Sequence, residues 1–154
     1  MLLQVTTKCH MNCTHCFVDA NPNGQNMTDE TFENFLKFLS TIDPKFRKMI
    51  PILLTGGEPL EHPKLFEWMD KLYKYSSFLL IATNGMWLDN DVICEHLRTL
   101  SETKKLMVQI TNIKHKVNEQ KKTIFNIVVN GEKLLIALTQ GLLVKMFITL
   151  MIWS

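Results

Sequence analysis

The sequence predicts an α/β protein on a parallel sheet, arranged as a barrel, part of a barrel or an open doubly wound sheet, and three observations carry that expectation. Short apolar runs at 2–7, 49–55, 78–83 and 106–111 alternate with segments of helical periodicity. The runs at 49–55 and 78–83 are apolar almost without a break, the pattern of strands covered on both faces. Each of these two runs stops at a turn pair, Gly56-Gly57 or Asn84-Gly85. Strand and helix alternating in this way call for right-handed crossovers, and hence parallel neighbours.

In chain order, residues 2–7 form the first strand, and residues 8–25 have the Cys, Asn, Pro and Gly content of a long functional loop. Thr28 caps a helix with Asp29 and Glu30 in its first turn and Phe32, Phe35, Leu36 and Leu39 on one face. Asp43-Pro44 ends it, and the strand at 49–55 follows. A second helix starts near Pro63, buries Leu65, Met69, Leu72 and Tyr73, and pairs Glu67 with Lys71 and Asp70 with Lys74. After the strand at 78–83, Asp89 caps a third helix that buries Ile93, His96, Leu97 and Leu100. The fourth strand is 106–111. Beyond Asn112 the rhythm is lost, which divides the chain into a core of four β/α units at 1–112 and a divergent segment at 113–154.

Composition narrows the function classes. With 154 residues, 46% hydrophobic and 21% charged, the chain has the make-up of one folded domain. A net charge of +2 does not describe a phosphate-tracking surface, so no nucleic-acid partner is expected. Residues 104–122 carry Lys104, Lys105, Lys114, Lys116, Lys121 and Lys122 against Glu119 alone, a pattern of a solvated loop or of a docking site for an acidic partner. The apolar stretch 134–153 is interrupted by Gln140, Gly141 and Lys145, so buried elements are expected there rather than a membrane span. The opening residues carry no signal-peptide pattern, and a cytoplasmic location is expected.

Cysteine usage points to metal chemistry. Three of four cysteines, Cys9, Cys13 and Cys16, fall within one short loop, a poor disulfide framework in a reducing compartment. Soft thiolates select iron–sulfur clusters, zinc or copper(I). Three ligands leave one metal position open for a small molecule, unless His10 or His15 closes a Cys3His zinc site. Cys94 is in principle a fourth ligand, but it lies on a helix beside its buried face and is read as core. The loops carrying Cys9 to Cys16, Gly56 to Pro59 and Thr83 to Gly85 each follow a strand and precede a helix, so all three meet at the carboxyl rim of a parallel sheet, where ligands bind.

With these residues in view, the sequence resembles the radical S-adenosylmethionine (radical SAM) superfamily. Cys9, Cys13 and Cys16 match its CxxxCxxC hallmark, Gly56-Gly57-Glu58-Pro59 is similar to its second-strand motif, and Thr83-Asn84-Gly85 to an element often found after its third strand. The resemblance covers roughly the first 110 residues and implies a partial parallel (β/α) barrel, incomplete here on its C-terminal side, because the family's usual core has six units and only four are legible. It implies a [4Fe-4S] cluster on the three thiolates, with the amino and carboxylate groups of S-adenosylmethionine on the remaining iron. Gly56, Gly57 and Glu58 would then orient the amino group, His15 would lie beside the adenine, and Thr83 and Asn84 would line the pocket near the methionine or ribose. Taken alone, each of these is also an ordinary residue: a turn pair, a loop histidine, and Phe17 as plain packing. The implied chemistry is one-electron reductive cleavage to a 5′-deoxyadenosyl radical that abstracts hydrogen from a substrate, small molecule, peptide or protein, with flavodoxin or ferredoxin as electron donor. A glycyl-radical-enzyme activating enzyme, a non-catalytic iron–sulfur or zinc module, and a truncated remnant are the other readings. Ile127 to Gly131 is the one weak candidate for a later strand.

Overall fold

Four strands lie side by side in the order β1 (Leu2–Thr6), β2 (Ile52–Gly56), β3 (Leu79–Thr83), β4 (Leu106–Ile110), every neighbouring pair parallel. The computed structural model describes residues 1–110 except Asn12 and His15, Leu88 by its backbone alone, and the backbone of two further strands at 126–129 and 132–135. The connections are helical: α1 (Asp29–Thr41) and α2 (Pro44–Met49) lead from β1 to β2, α3 (Leu65–Leu72) from β2 to β3, and α4 (Asp91–Thr103) from β3 to β4. The chain is thus an α/β protein with a partial parallel barrel. Beyond it, β5 (Asn126–Val129) and β6 (Glu132–Leu135) pair antiparallel in a separate two-stranded sheet.

One face of the parallel sheet is sealed by helices. Leu3, Val5, Ile52, Leu54, Leu79, Ile81, Leu106, Val108 and Ile110 form a single core with Phe32, Leu36, Leu39, Trp68, Met69, Leu97 and Leu100. The alternate residues Leu53, Leu80 and Met107 are only half-covered. The sequence reading of strands buried on both faces therefore holds in full for one face, because four strands cannot close over the other. At the centre, Phe32 of α1 stacks on Trp68 of α3 with ring centroids 4.2 Å apart, an aromatic contact that fixes the two helices against each other.

The caps explain where the elements start. Thr28 accepts from the Thr31 N–H at 3.2 Å, as the sequence predicts for α1. Asp43-Pro44 does end that helix, but it also begins α2: Asp43 accepts from Lys45 N–H at 2.8 Å, and Pro44 occupies a first-turn position where a missing N–H costs nothing. Met49, assigned from sequence to the next strand, closes α2 instead and is exposed. A 3₁₀ turn at Pro59–Glu61 precedes α3, and Leu65, Trp68, Met69 and Leu72 are buried. Tyr73 sits one position past that stripe, half-buried, with its hydroxyl donating to the Lys105 carbonyl at 3.3 Å. Glu67 pairs with Lys71 at 3.3 Å as expected, whereas Asp70 pairs with Lys104 at 3.2 Å rather than with Lys74, because Lys104 comes in from the end of α4.

Asn90, not Asp89, caps α4 by accepting from Val92 and Ile93 N–H, since Asp89 is taken up in a 3₁₀ turn at Met86–Asp89. Cys94 is buried in the core as expected. His96 is exposed and stacks on Phe66 at 4.0 Å, lying off the stripe that Cys94, Leu97 and Leu100 bury. The lysine-rich stretch beyond residue 110 and most of the apolar stretch after residue 133 lie outside the described residues. Among those described, no helix is long and apolar enough to cross a membrane.

Candidate metal and cofactor site

The carboxyl ends of β1, β2 and β3 are drawn together by main-chain contact. Gly57 N–H donates to Thr6 O at 2.8 Å and Glu58 N–H to Lys8 O at 2.9 Å, so the segment after β2 continues alongside the chain that enters the cysteine loop. Only glycine allows that approach. A Cβ on Gly56 would stand 2.1 Å from Thr6 O, and one on Gly57 2.1 Å from Lys8 O; Gly56 also has φ +139, where side chains are strained. The glycine pair therefore joins the second motif to the first in addition to leaving main-chain groups at the rim.

The far side of the cysteine loop is pinned to the same place. Asn21 N–H donates to Thr7 O at 3.2 Å, Cys9 N–H to Asn21 O at 3.0 Å, Thr7 N–H to Gln25 O at 2.8 Å, and Met27 N–H to Val5 O at 2.8 Å. The Thr6 hydroxyl adds a bond to Asn26 Oδ1 at 2.7 Å. Gly24 passes so close that a Cβ there would lie 2.2 Å from Thr7 O. Nothing in the sequence reading singled out this returning limb, although Gly24 between polar residues is the signal that marks it.

Within the loop the three cysteines differ. Cys9 is buried, Cys16 partly covered and Cys13 exposed, and none of the three is in a disulfide. Burial pushes the Cys9 thiol up from its ordinary pKa; donors from the Met11 main chain and the Asn84 amide oppose this, and the Glu61 and Glu58 carboxylates add to it. Cys16 Sγ accepts from Ala20 N–H at 3.2 Å, and a turn links Cys16 N–H to Cys13 O at 3.1 Å. Phe17 is exposed, so the plain-packing reading of it does not hold. Among the described residues no three His, Cys, Asp or Glu side chains stand in one metal-holding group. The donor set, three cysteines on one short loop, is of the kind that holds a thiolate-bound cluster. His15, read as the residue beside the adenine, lies outside the described residues.

Glu58 is the hub. Buried beneath the rim, its carboxylate accepts from Thr83 Oγ1 at 2.8 Å and Leu60 N–H at 3.1 Å on one oxygen, and from Asn84 N–H at 2.7 Å on the other. Thr83 Oγ1 in turn accepts from Trp87 Nε1 at 2.6 Å and Gly85 N–H at 3.2 Å. Desolvation raises the pKa of Glu58, against the three bonds it accepts, which favour the charged form. The second and third sequence motifs are thus one hydrogen-bonded unit, and Asn84 Nδ2 extends it to Cys9 Sγ at 3.7 Å.

Two residues that sequence reasoning passed over complete the rim. Glu61 accepts from His10 N–H at 3.1 Å on one oxygen and meets His10 Nδ1 at 2.7 Å with the other, tying the residue after Cys9 to the turn after β2. His62 is buried: its Nδ1 accepts from Lys64 N–H at 3.2 Å, and its Nε2 faces Met27 O at 3.3 Å, which makes the Nε2–H form the one that satisfies both partners. Both contacts span long stretches of chain, and no local pattern in the sequence announces them.

Comparison with known proteins shows the family. Residues 3–138 match the family model described as the Radical SAM superfamily. Over 102 residues the chain is 31% identical to 7,8-dihydro-6-hydroxymethylpterin dimethyltransferase of Methanocaldococcus jannaschii, covering 65% of this chain and 19% of that protein. It is 31% identical over 98 residues to AdoMet-dependent heme synthase of Methanosarcina barkeri, covering 62% and 26%, and 35% identical over 91 residues to GTP 3′,8-cyclase of Helicobacter pylori, covering 56% and 27%. The matched stretch thus spans about a fifth to a quarter of the length of these three relatives.

Proposed function

Because this chain belongs to the radical SAM superfamily, we propose that Cys9, Cys13 and Cys16 hold a [4Fe-4S] cluster and that the loops at Gly56–Glu58 and Thr83–Asn84 hold S-adenosylmethionine beside it. One observation carries the reading: Glu58, Thr83, Asn84 and Cys9 belong to a single hydrogen-bonded network at the carboxyl rim. When bound, the cluster supplies the electron that cleaves S-adenosylmethionine to methionine and a 5′-deoxyadenosyl radical.

The protein's part is to bind and to shield. An ionised carboxylate offers about four acceptor positions. Glu58 has three filled from within the chain, which leaves one on the oxygen facing Asn84 for the amino group of the cofactor's methionine. A cation delivered there also offsets the cost of keeping that carboxylate charged while buried. Gly56 and Gly57 keep the rim thin enough for main-chain groups to reach a ligand. Cys9 is fixed by its surroundings, and Cys13 and Cys16 lie on the same short loop, so the three thiolates would hold the cluster between them. All of these residues fall in 1–112, the stretch read as the core, and 113–154 is proposed as a separate segment.

The names of the relatives describe different reactions, so no substrate carries over. A one-electron donor such as flavodoxin or ferredoxin, and a small-molecule, peptide or protein substrate, complete the proposal. A thiolate-bound, reducible cluster suits the reducing cytoplasm.

Anaerobic reconstitution with iron and sulfide, then addition of dithionite and S-adenosylmethionine with chromatography for 5′-deoxyadenosine, tests it against Cys13→Ala. Product that depends on Cys13 is the expected result. A reducible cluster without product removes catalysis and leaves binding, and a zinc-loaded chain that takes up no iron overturns the reading.

A further inference from the structure

Asn84 does more at the rim than its place in the third motif implies. Its side-chain amide is held by both ends. Oδ1 accepts from Met86 N–H at 2.8 Å, which fixes the orientation of the amide and leaves Nδ2 as the end that faces Cys9 Sγ, 3.7 Å away. The main chain is held as well: Asn84 N–H donates to Glu58 at 2.7 Å, and Gly85, at φ 79, turns the chain so that its own N–H reaches Thr83 Oγ1. Cys9 is 9% exposed, so water does not compete strongly for the donor. The sulfur of Cys16 is served by a main-chain N–H, from Ala20, which no substitution removes short of proline; that of Cys9 is served by the Met11 main chain and, in addition, by a side chain.

Resting on the cluster reading above, we propose that Asn84 sets the reduction potential of the cluster by donating from Nδ2 to the sulfur of Cys9. Reduction adds negative charge to the iron–sulfur unit, part of it on the thiolate sulfurs, and a fixed donor stabilises the more negative state. The donor is rigid because Met86, Glu58 and Thr83 hold it before any ligand arrives. Asn84 is thus a tuning residue acting through Cys9, and the second-strand motif reaches the cluster through it: Glu58 grips the same residue that touches the sulfur.

Two variants test this. Asn84→Asp keeps the shape and the acceptor for Met86 N–H but replaces the donor with a charged acceptor. Asn84→Ala removes the donor without adding charge. Wild type and both variants are reconstituted, their iron and sulfide contents measured, and the cluster titrated against redox mediators under paramagnetic-resonance detection at several pH values. Both variants are expected to hold a cluster of lower potential, Asn84→Ala by up to about tenfold in the reduction equilibrium, about 59 mV for a one-electron couple, and Asn84→Asp by more. On acidification the potential of Asn84→Asp climbs back as the introduced carboxyl takes up a proton and regains a donor, which a merely structural role would not produce. If both variants load and titrate at the wild-type potential, the inference falls and the cluster reading stands. If the wild type takes up no cluster, the cluster reading itself falls, and this inference with it.

Discussion

The two halves of the cysteine loop are built differently. The Cys9 half is embedded: its flanking main chain is bonded to Glu58 and Asn21, its neighbour His10 to Glu61, and its sulfur lies against Asn84. The bonds described for the Cys13–Cys16 half are local, Cys16 N–H to Cys13 O, Asp19 N–H to Cys16 O and Ala20 N–H to Cys16 Sγ, with Asp19 at φ 51. One thiol belongs to the sheet and two belong to an arm. The difference teaches that three like residues on one loop can be anchored unequally: Cys9 is tied to the rim of the sheet, while the bonds described at Cys13 and Cys16 are local to the loop.

The largest effect should come from forcing the embedded half off the sheet. Gly57→Ala brings a Cβ to 2.1 Å from Lys8 O and 2.6 Å from Lys8 C, both main-chain atoms that cannot swing aside. A loss of roughly 3 kcal/mol in stability is expected from such overpacking, read by denaturant titration. The companion measurement is alkylation of the metal-free chain by iodoacetamide, followed by peptide mass spectrometry. Of the three loop cysteines, Cys13 should react first and Cys9 last, slower by about tenfold or more, because burial both covers Cys9 and depresses its thiolate fraction. Equal rates at Cys9 and Cys13 would erase the contrast.

The smallest effect concerns acid. Burial lowers the pKa of His62 below its ordinary 6.5. As pH falls through 6.5, the unfolded chain takes up a proton that the folded chain does not, so stability declines until the folded-state pKa is passed. His62→Asn should flatten that decline, and the difference between the two pH–stability curves isolates it from Glu58, whose raised pKa acts in the opposite direction. A curve unchanged by the substitution would show that burial does not hold His62 neutral in the folded chain.

Much of this architecture was legible from local chemistry. Thr28 ahead of Asp29 and Glu30 marks α1 because a cap and an acidic first turn are local signals, and the apolar runs at β2 and β3 stop at Gly56 and Asn84 for the same reason. The meeting of the three rim motifs followed from strand–helix alternation alone. What escaped was non-local or two-sided. Asp43-Pro44 is both a stop and a start, and only the stop was read. Asp70 found Lys104, His10 found Glu61 and His62 found Met27 across 34, 51 and 35 residues, distances over which no periodicity speaks. The glycines were recognised as turn residues, but their closeness to Thr6 and Lys8 depends on parallel register, which a single strand does not encode.

The pinning of both ends of the cysteine loop near Thr7 has a consequence for how such a protein can change over generations. The chain leaves the sheet at Cys9 and is fastened again at Asn21, so the intervening segment is a cassette with fixed feet. Lengthening it adds little to the cost of closing it, about 0.6 kcal/mol for each doubling. Residues between those feet can therefore be rewritten, and new surroundings given to the same three thiols, while the sheet beneath is inherited intact.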